Sequence, residues 1–237
     1  MAIPFIIGAL TAAGGAIMSA VSSIGAAVSS FAAGVGPMLA NVIQTIKPLA
    51  DVISRFANTF LQNLSILKPG ETIEALGERA LQAAAQGVKL ENSDNFADYI
   101  EKVRNVEIDP ELDEKRSPAE KLLAGISIAT VGVEDKFNAE HGSLNGLWLL
   151  PLVNPQYFTP ERMQSLVTTG RMGNEVLAYL NKSLSAGETR SLEKTYEANI
   201  ANTAENGAGL EPLYEGLDAA RDEWASISKQ IEENKQH

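Results

Sequence analysis

Apolar residues recur along the N-terminal part of the chain at alternating steps of four and three. From Ile17 to Phe56 they fill positions a and d of a heptad repeat, Leu10 extends the pattern toward the N-terminus, and Thr45 is the polar exception. A strict seven-residue repeat predicts a helical seam that faces a partner helix. The oligomerisation seam predicted in this way consists of Ile17, Val21, Ile24, Val28, Phe31, Val35, Met38, Val42, Leu49, Val52 and Phe56.

The seam predicts two helical pieces, over about residues 9–35 and 38–64. Residues 34–37 read GVGP and separate the pieces, because Gly and Pro cost about 1 and about 3 kcal/mol relative to Ala inside a helix. Pro48 is a second expected break or kink. The e and g positions beside the seam hold mainly Ala and Gly, which let helix backbones approach each other closely.

Charge is distributed very unevenly along the chain. Residues 1–46, the charge-free segment, contain no Asp, Glu, Lys, Arg or His. Residues 1–68 have a net charge of +2 and residues 69–237, the acidic region, have −13, which together give the −11 of the 237-residue chain. This balance disfavours binding to nucleic-acid phosphates and to anionic lipid headgroups. The chain has no cysteine, which excludes disulfides and thiolate metal sites.

The helix-breaking dipeptide Pro69-Gly70 places the predicted domain boundary between residues 68 and 69. Residues 1–68 form the charge-poor N-terminal segment, and residues 69–237 form an acidic globular domain of about six or seven helices. No stretch alternates in the way a strand requires. We therefore expect an all-α protein in which an extended, heptad-patterned helical segment, forming an oligomeric coiled coil or packed in a channel, precedes a compact multi-helix domain.

Helix starts in the acidic region are marked by capping residues. Ser117 with Glu120, and Ser185 with Glu188, have the spacing of a capping box. Thr159 followed by Pro160 is another N-cap signal, because proline is favoured at the first helical position. A helix near residues 93–104 is expected to begin with Ser93 or Asp94 as its cap, and the run EIDPELDEKR, residues 107–116, is expected to be an exposed loop.

Signatures of catalysis are missing from the sequence. It contains no Walker-type phosphate loop, no Gly-x-Ser-x-Gly elbow and no HExxH motif. His141 is interpreted as a capping or surface residue, and the neighbouring Glu134 and Asp135 as part of a solvated acidic surface. We therefore expect no enzymatic activity, no metal and no cofactor.

The most apolar stretch of the acidic region reads GLWLLPLVNPQYF, residues 146–158. One interpretation is a segment that lines the core. The other is a docking surface, since aromatic residues are enriched among interface hot spots. The candidates for partner docking are Trp148, Leu149, Leu150, Tyr157 and Phe158.

The run AIMSAVSSIGAAVSSFAAGVG, residues 16–36, is rich in Ala, Gly and Ser and has no charge. In this respect residues 1–64 resemble the charge-poor helical segments of tailed-phage tape-measure and ejected tail proteins. The resemblance covers about a quarter of the chain and rests on composition and heptads. A fully helical segment of this length would span only about 90 Å, which implies a short component of the tail lumen or a plug of the baseplate hub.

Two functions are compatible with these features. The first is a non-enzymatic structural protein of a phage tail or related injection machine, whose N-terminal segment packs along the tail lumen or hub axis and is ejected. Its partners would be copies of itself, with a trimer favoured, and tail tube or baseplate hub proteins. It would reside in the virion tail, in the host cytoplasm before assembly and in a membrane after ejection.

The second function is a membrane-acting effector, pore-forming or holin-like, in which the acidic helical domain keeps the N-terminal segment soluble. Three other interpretations of the charge-free segment carry less weight. A buried hairpin inside an ordinary all-α domain would need cover on nearly every side. A cleaved signal would need a basic start, and a single membrane span would need more strongly apolar residues.

Overall fold

A computed structural model describes residues 12–201 and 210–234. The described residues form helices joined by turns, with no strand among them, and the all-α prediction is confirmed. Leu10, the first residue of the heptad pattern, lies outside the described residues. The helices are α1 (Ala12–Ser23), α2 (Ser29–Ala33), α3 (Gly36–Thr45), α4 (Lys47–Asn63), α5 (Ile73–Ala85), α6 (Phe96–Arg104), α7 (Pro110–Lys115), α8 (Pro118–Phe137), α9 (Leu149–Val153), α10 (Pro160–Val167), α11 (Asn174–Leu180), α12 (Ala186–Ala201) and α13 (Glu211–Asn234), with short 3-10 helices at Ala26–Val28 and Leu90–Asn92.

Helix α8 lies at the centre of the fold. Its residues 122–130 are all buried, and it packs against α1, α3, α4, α5 and α6. Its closest neighbour is α5, where two glycines bring the backbones into contact. A Cβ atom on Gly77 would lie 1.9 Å from the carbonyl oxygen of Lys121, and one on Gly125 would lie 2.1 Å from that of Ile73. This crossing therefore requires glycine on both helices.

Most predicted helix starts in the acidic region coincide with observed ones. Ser117 and Glu120 form the capping box of α8, with the side chain of each residue bonded to the backbone of the other. Thr159 caps α10 by accepting a hydrogen bond from the backbone N–H of Arg162. Ser185 accepts the backbone N–H of Glu188 at the start of α12.

Two local predictions in this region need correction. The cap of α6 is Asn95, whose side chain accepts the N–H of Asp98, and not Ser93 or Asp94. Residues 110–115 form the short helix α7 instead of a loop, because Asp109 supplies an N-cap and Pro110 occupies the first turn. None of the α7 residues is buried, so the predicted exposure of this run is retained.

The N-terminal segment contains more breaks than the sequence predicts. The expected piece over residues 9–35 is interrupted at Gly25, which has a φ of 141°. The predicted breaks near residues 34–37 and at Pro48 are observed, since α3 and α4 both begin with a proline in their first turn. From residue 12 onward, where the structure describes it, the segment therefore has four α-helices and one 3-10 helix where two pieces were expected.

These N-terminal helices pack against the acidic region. Helix α1 contacts α5 and α8, α3 contacts α8 and α13, and α4 contacts α8, α9 and α10. The Pro69-Gly70 turn separates α4 from α5 along the chain, but residues from both sides of it belong to one hydrophobic core. The chain is compact, and the predicted extended coiled coil is not confirmed. Beyond residue 68 the described part of the chain has nine α-helices, compared with the six or seven expected.

Candidate functional site

The predicted seam faces the interior of this single chain. Val21, Val28 and Val35 are among its most deeply buried members, and Met38, Leu49 and Val52 are half-buried. The apolar periodicity thus indicates a buried face, as expected, and this face is covered both by neighbouring N-terminal helices and by helices of the acidic region. Whether the same face also joins copies of the protein stays a prediction. The remaining buried members are Ile17, Ile24, Phe31, Val42 and Phe56.

The opposite side of the charge-free segment faces solvent with small, uncharged side chains. This outer face includes exposed alanines and serines on α1 and α2, with no charged residue between them in the sequence. Small residues of this kind allow close approach of another helix. The exposed positions used below are Ala16, Ser19, Ser22, Ser29 and Ala33.

The first kink in the charge-free segment lies at Gly25. Gly25 precedes the 3-10 helix Ala26–Val28 and has no side chain with which to cap it. The cap comes from the acidic region, because the backbone N–H of Ala26 donates to Oε1 of Glu91 at 3.3 Å. A carboxylate is favourable at this position, since the first amides of a helix carry partial positive charge.

The second kink lies at Gly34, between α2 and α3. Here the side-chain amide of Asn174, the first residue of α11, lies against the glycine. A Cβ atom on Gly34 would lie 2.5 Å from Oδ1 of Asn174. Both kinks in the described part of this segment are therefore in contact with a polar side chain of the acidic region.

No single described helix is long and apolar enough to cross a bilayer. The stretches Ala26–Ala33 and Gly36–Thr45 meet the length and composition requirement only as a pair, and they are bent by 63° relative to each other. This bent pair begins directly after Gly25 and ends with α3, and the Gly34 kink lies at its bend.

The apolar stretch at residues 146–158 lines the core. The Trp148 ring lies edge-on to Phe56 and Phe60, with ring centroids 6.3 and 6.2 Å away. Its Nε1–H donates to Oγ1 of Thr130 at 2.8 Å. Tyr157 is half-buried. The docking surface predicted here is not available in this fold, because the other four candidates are fully buried: Trp148, Leu149, Leu150 and Phe158.

A carboxylate–imidazole pair lies at the end of α8. Glu134 is buried, and its Oε1 accepts the backbone N–H of Gly142 at 2.8 Å and of Leu144 at 3.2 Å. Its Oε2 lies 3.1 Å from Nδ1 of the half-exposed His141. Burial raises the pKa of Glu134 above 4.5, although the hydrogen bonds from Leu144, His141 and Gly142 oppose that shift.

No family model, curated protein or solved structure matches this chain. Its function has to be inferred from its own residues. Two features are candidates: the kinked, charge-free segment with its polar contacts, and the Glu134–His141 pair beside its cleft.

The cleft beside His141 has a volume of about 370 Å³ and is also lined by Asp94, Phe96 and Asp135. Within the described ranges His141 hydrogen-bonds only to Glu134, and no cluster of three potential metal ligands is present. The pair has the orientation of an imidazole held by a carboxylate, but no hydroxyl nucleophile is bonded to it. Its observed role is to hold the turn after α8 in place.

The sequence places Glu134 in a solvated acidic surface, whereas its side chain is buried. The available signal was its position: Glu134 lies four residues after Thr130 and one after Val133, on the face of α8 that continues the apolar run. The contacts made by Glu91 and Asn174 had no sequence signal, because they join residues distant along the chain.

Proposed function

We propose that this protein acts on membranes, and that the compact fold is its soluble, stored form. The observation that carries this proposal is the internal burial of the seam by helices of the acidic region. An apolar face that is already covered within one chain has no free partner surface, but it becomes available if the helices separate.

Lipid is a suitable alternative environment for this segment. Residues 1–46 contain no charged group that would have to be desolvated, whereas Asp, Lys or Arg at the centre of a membrane helix costs about 2.5–3.5 kcal/mol. The acidic region, with its net charge of −13, would stay in water. Because it is repelled by anionic headgroups, zwitterionic bilayers are the preferred target.

Dye release from zwitterionic vesicles tests the proposal with the full chain. The unmodified protein is expected to release dye at micromolar concentration, as is a peptide of the charge-free segment. Ser19→Asp puts a charge on the exposed side of α1 and is expected to reduce release at least tenfold, given the insertion penalty of an aspartate. Ser226→Asp, at an exposed position of α13, is the matched control and should release dye normally. Absence of release by the unmodified protein would exclude this function.

A structural role in a phage tail or related injection machine is the second candidate. The observation that favours it is the neutral outer face of α1 and α2, whose exposed alanines and serines suit close packing against another chain or a tube wall. In this role the protein would form homo-oligomers, with a trimer favoured, and bind tail tube or baseplate hub proteins. Neither candidate function involves catalysis.

Light scattering distinguishes the two candidates in solution. An oligomer of the full-length protein, disrupted by Ser29→Lys on the outer face, would support the structural role. A monomer that releases dye would support the membrane role. A cryo-EM map of a native particle with density for the acidic region but no axial helical density for residues 10–56 would exclude the tail-axis model.

A further inference from the structure

We infer that Glu91 and Asn174 are two latches that hold the charge-free segment in its kinked, stored conformation, and that breaking them is the step that frees the segment. This inference rests on the proposed membrane function and specifies how that function is restrained in solution. It is carried by the contacts that these two side chains make with Gly25 and Gly34.

The first latch requires a glycine beneath it. A Cβ atom on Gly25 would lie 2.7 Å from Oε2 and 2.9 Å from Oε1 of Glu91, so no other residue leaves room for the carboxylate in this position. The φ of 141° at Gly25 is likewise unfavourable for residues with a side chain. The carboxylate in turn accepts the N–H of Ala26, which at a helix break has no intrahelical acceptor.

The second latch also fits against a glycine, by close packing instead of a cap. The amide of Asn174 lies where a Cβ atom on Gly34 would be, with Oδ1 at 2.5 Å and Nδ2 at 3.0 Å from that point. Gly34 closes α2 through its own N–H, which bonds to the carbonyl oxygens of Ser30 and Phe31. A second polar side chain from the acidic region thus fits against the chain at the point where the helix is broken.

The residues that carry the latches lie on short elements. Glu91 belongs to the 3-10 helix Leu90–Asn92, none of whose residues is buried, and Asn174 is exposed at the start of α11. Each latch can therefore open without disrupting the core around α8. Once both are open, residues 12–35 lose these polar contacts at their kinks, and a continuous helix that ends at the break before Pro37 becomes the alternative.

The latches are tested first from the side of the acidic region. Glu91→Ala and Asn174→Ala remove the contacts without altering the charge-free segment. Glu107→Ala and Asn63→Ala, both at exposed positions, are matched controls. Since the chain has no cysteine, Ser22→Cys and Gln86→Cys can carry spin labels that report the distance between the ends of α1 and α5.

Glu91→Ala is expected to increase the population with a long label distance about fivefold, the ratio that one lost N-cap typically produces. Asn174→Ala removes a packing contact and no cap, and should increase it about twofold. The double variant should increase it about tenfold. The initial rate of dye release should rise in the same order. The controls should match the unmodified protein in both measurements.

The second test acts from the side of the segment. Gly25→Ala and Gly34→Ala place a methyl group where each latch sits, and both favour a continuous helix. Gly15→Ala is the control, because a Cβ atom there meets nothing within 4 Å and has the same propensity effect. Fluorescence of the buried Trp148 and Trp224 verifies that the core remains folded.

The outcomes separate the latches from the membrane function. Label distances and dye release that are unchanged in Glu91→Ala and Asn174→Ala would overturn the latch inference, even if the unmodified protein releases dye. Longer distances in these variants without any dye release would support the latches and exclude the membrane function. An equal response of Gly15→Ala and Gly25→Ala would also overturn the inference, because helix propensity alone would then explain it.

Discussion

The charge-free segment and helix α8 are similar in sequence and different in structure. Residues Leu122–Val133 of α8 also lack charge and contain Gly, Ala, Ser and Thr. Helix α8 is nevertheless continuous over 20 residues, whereas the described part of the charge-free segment is divided into helices of 12, 3, 5 and 10 residues.

The ends of the helices account for this difference. Helix α8 begins with a capping box and ends with Asn138 in the left-handed conformation, so its own sequence defines both termini. The helices after Gly25 and Val35 have no side-chain cap of their own, and the first of them is capped by the distant Glu91. Apolar content alone therefore does not determine whether a helix continues. Capping residues at its ends and contacts with neighbouring side chains determine it.

The largest expected effect tests whether the two regions share one core. Val28 and Ile128 line the same small cavity, so Val28→Lys and Ile128→Lys should each destabilise the fold by about 3–5 kcal/mol, because each buries an unpaired charge. Ser29→Lys, at the adjacent exposed position, should change stability by less than about 0.5 kcal/mol. Denaturant titration measures these changes.

The same pair of variants shows where the comparison would fail. If the seam served only to join copies of the protein, Val28→Lys would change the molar mass and leave the unfolding midpoint of the acidic region unaltered. Ile128→Lys would still lower that midpoint.

Glycines with different surroundings provide the next largest effect. Gly125→Ala is expected to destabilise the protein by about 2–3 kcal/mol, because the methyl group meets the backbone of α5 at the close helix crossing. Gly15→Ala is expected to stabilise it by about 0.5–1 kcal/mol, because the methyl group enters open space in a helix. Opposite signs in thermal unfolding would confirm the contrast. A destabilising Gly15→Ala would show that α1 makes a close contact at that position.

A smaller effect concerns helix ends. Ser117→Ala removes the cap of α8 and should reduce the free energy of unfolding by about 1 kcal/mol. Ser29, the site of the control Ser29→Ala, lies at the start of α2, and its exposed side chain caps no helix. It should therefore have no measurable effect. Equal losses in the two variants would contradict the assignment of the cap.

The smallest effect is a pH dependence at the end of α8. The pKa of Glu134 is raised above 4.5 by burial, so the carboxyl contributes stability that is fully present below 4.5 and is lost as pH rises through its folded-state pKa. Glu134→Gln removes the titrating carboxyl group while retaining an oxygen that accepts the N–H groups of Gly142 and Leu144. The variant should gain stability relative to the unmodified protein as pH rises toward neutrality, measured from denaturation midpoints across that range. A constant difference between the two proteins would contradict the raised pKa.

Local signals were sufficient to predict much of the fold. The capping box at Ser117 and the prolines at positions 37 and 48 mark helix boundaries that the structure shares. The break at Gly25 could not be predicted in this way, because one glycine in a heptad pattern is equally typical of close helix packing. Its conformation depends on Glu91, which is 66 residues further along the chain.

Heptad periodicity and aromatic clustering have a common limit as evidence. A heptad seam indicates that a helix packs against a partner helix. The same residues, however, can pack either against a second copy of the protein or against a distant helix of the same chain. Trp148 and Phe158 show the same ambiguity, because a cluster of large apolar side chains is typical of both interfaces and cores. Only the three-dimensional arrangement shows that these two side chains lie inside.

The position of α8 along the chain has a consequence for biosynthesis. The charge-free segment is synthesised before α8, and the part of its cover that α8 supplies is complete only after Phe137 has been added, about ninety residues later. At about 5–20 residues per second, this delay lasts on the order of 5–20 seconds. During that time the nascent chain carries an uncharged segment whose partner helix α8 does not yet exist, and under the proposed membrane function a nearby bilayer would compete for the segment before α8 can bind it.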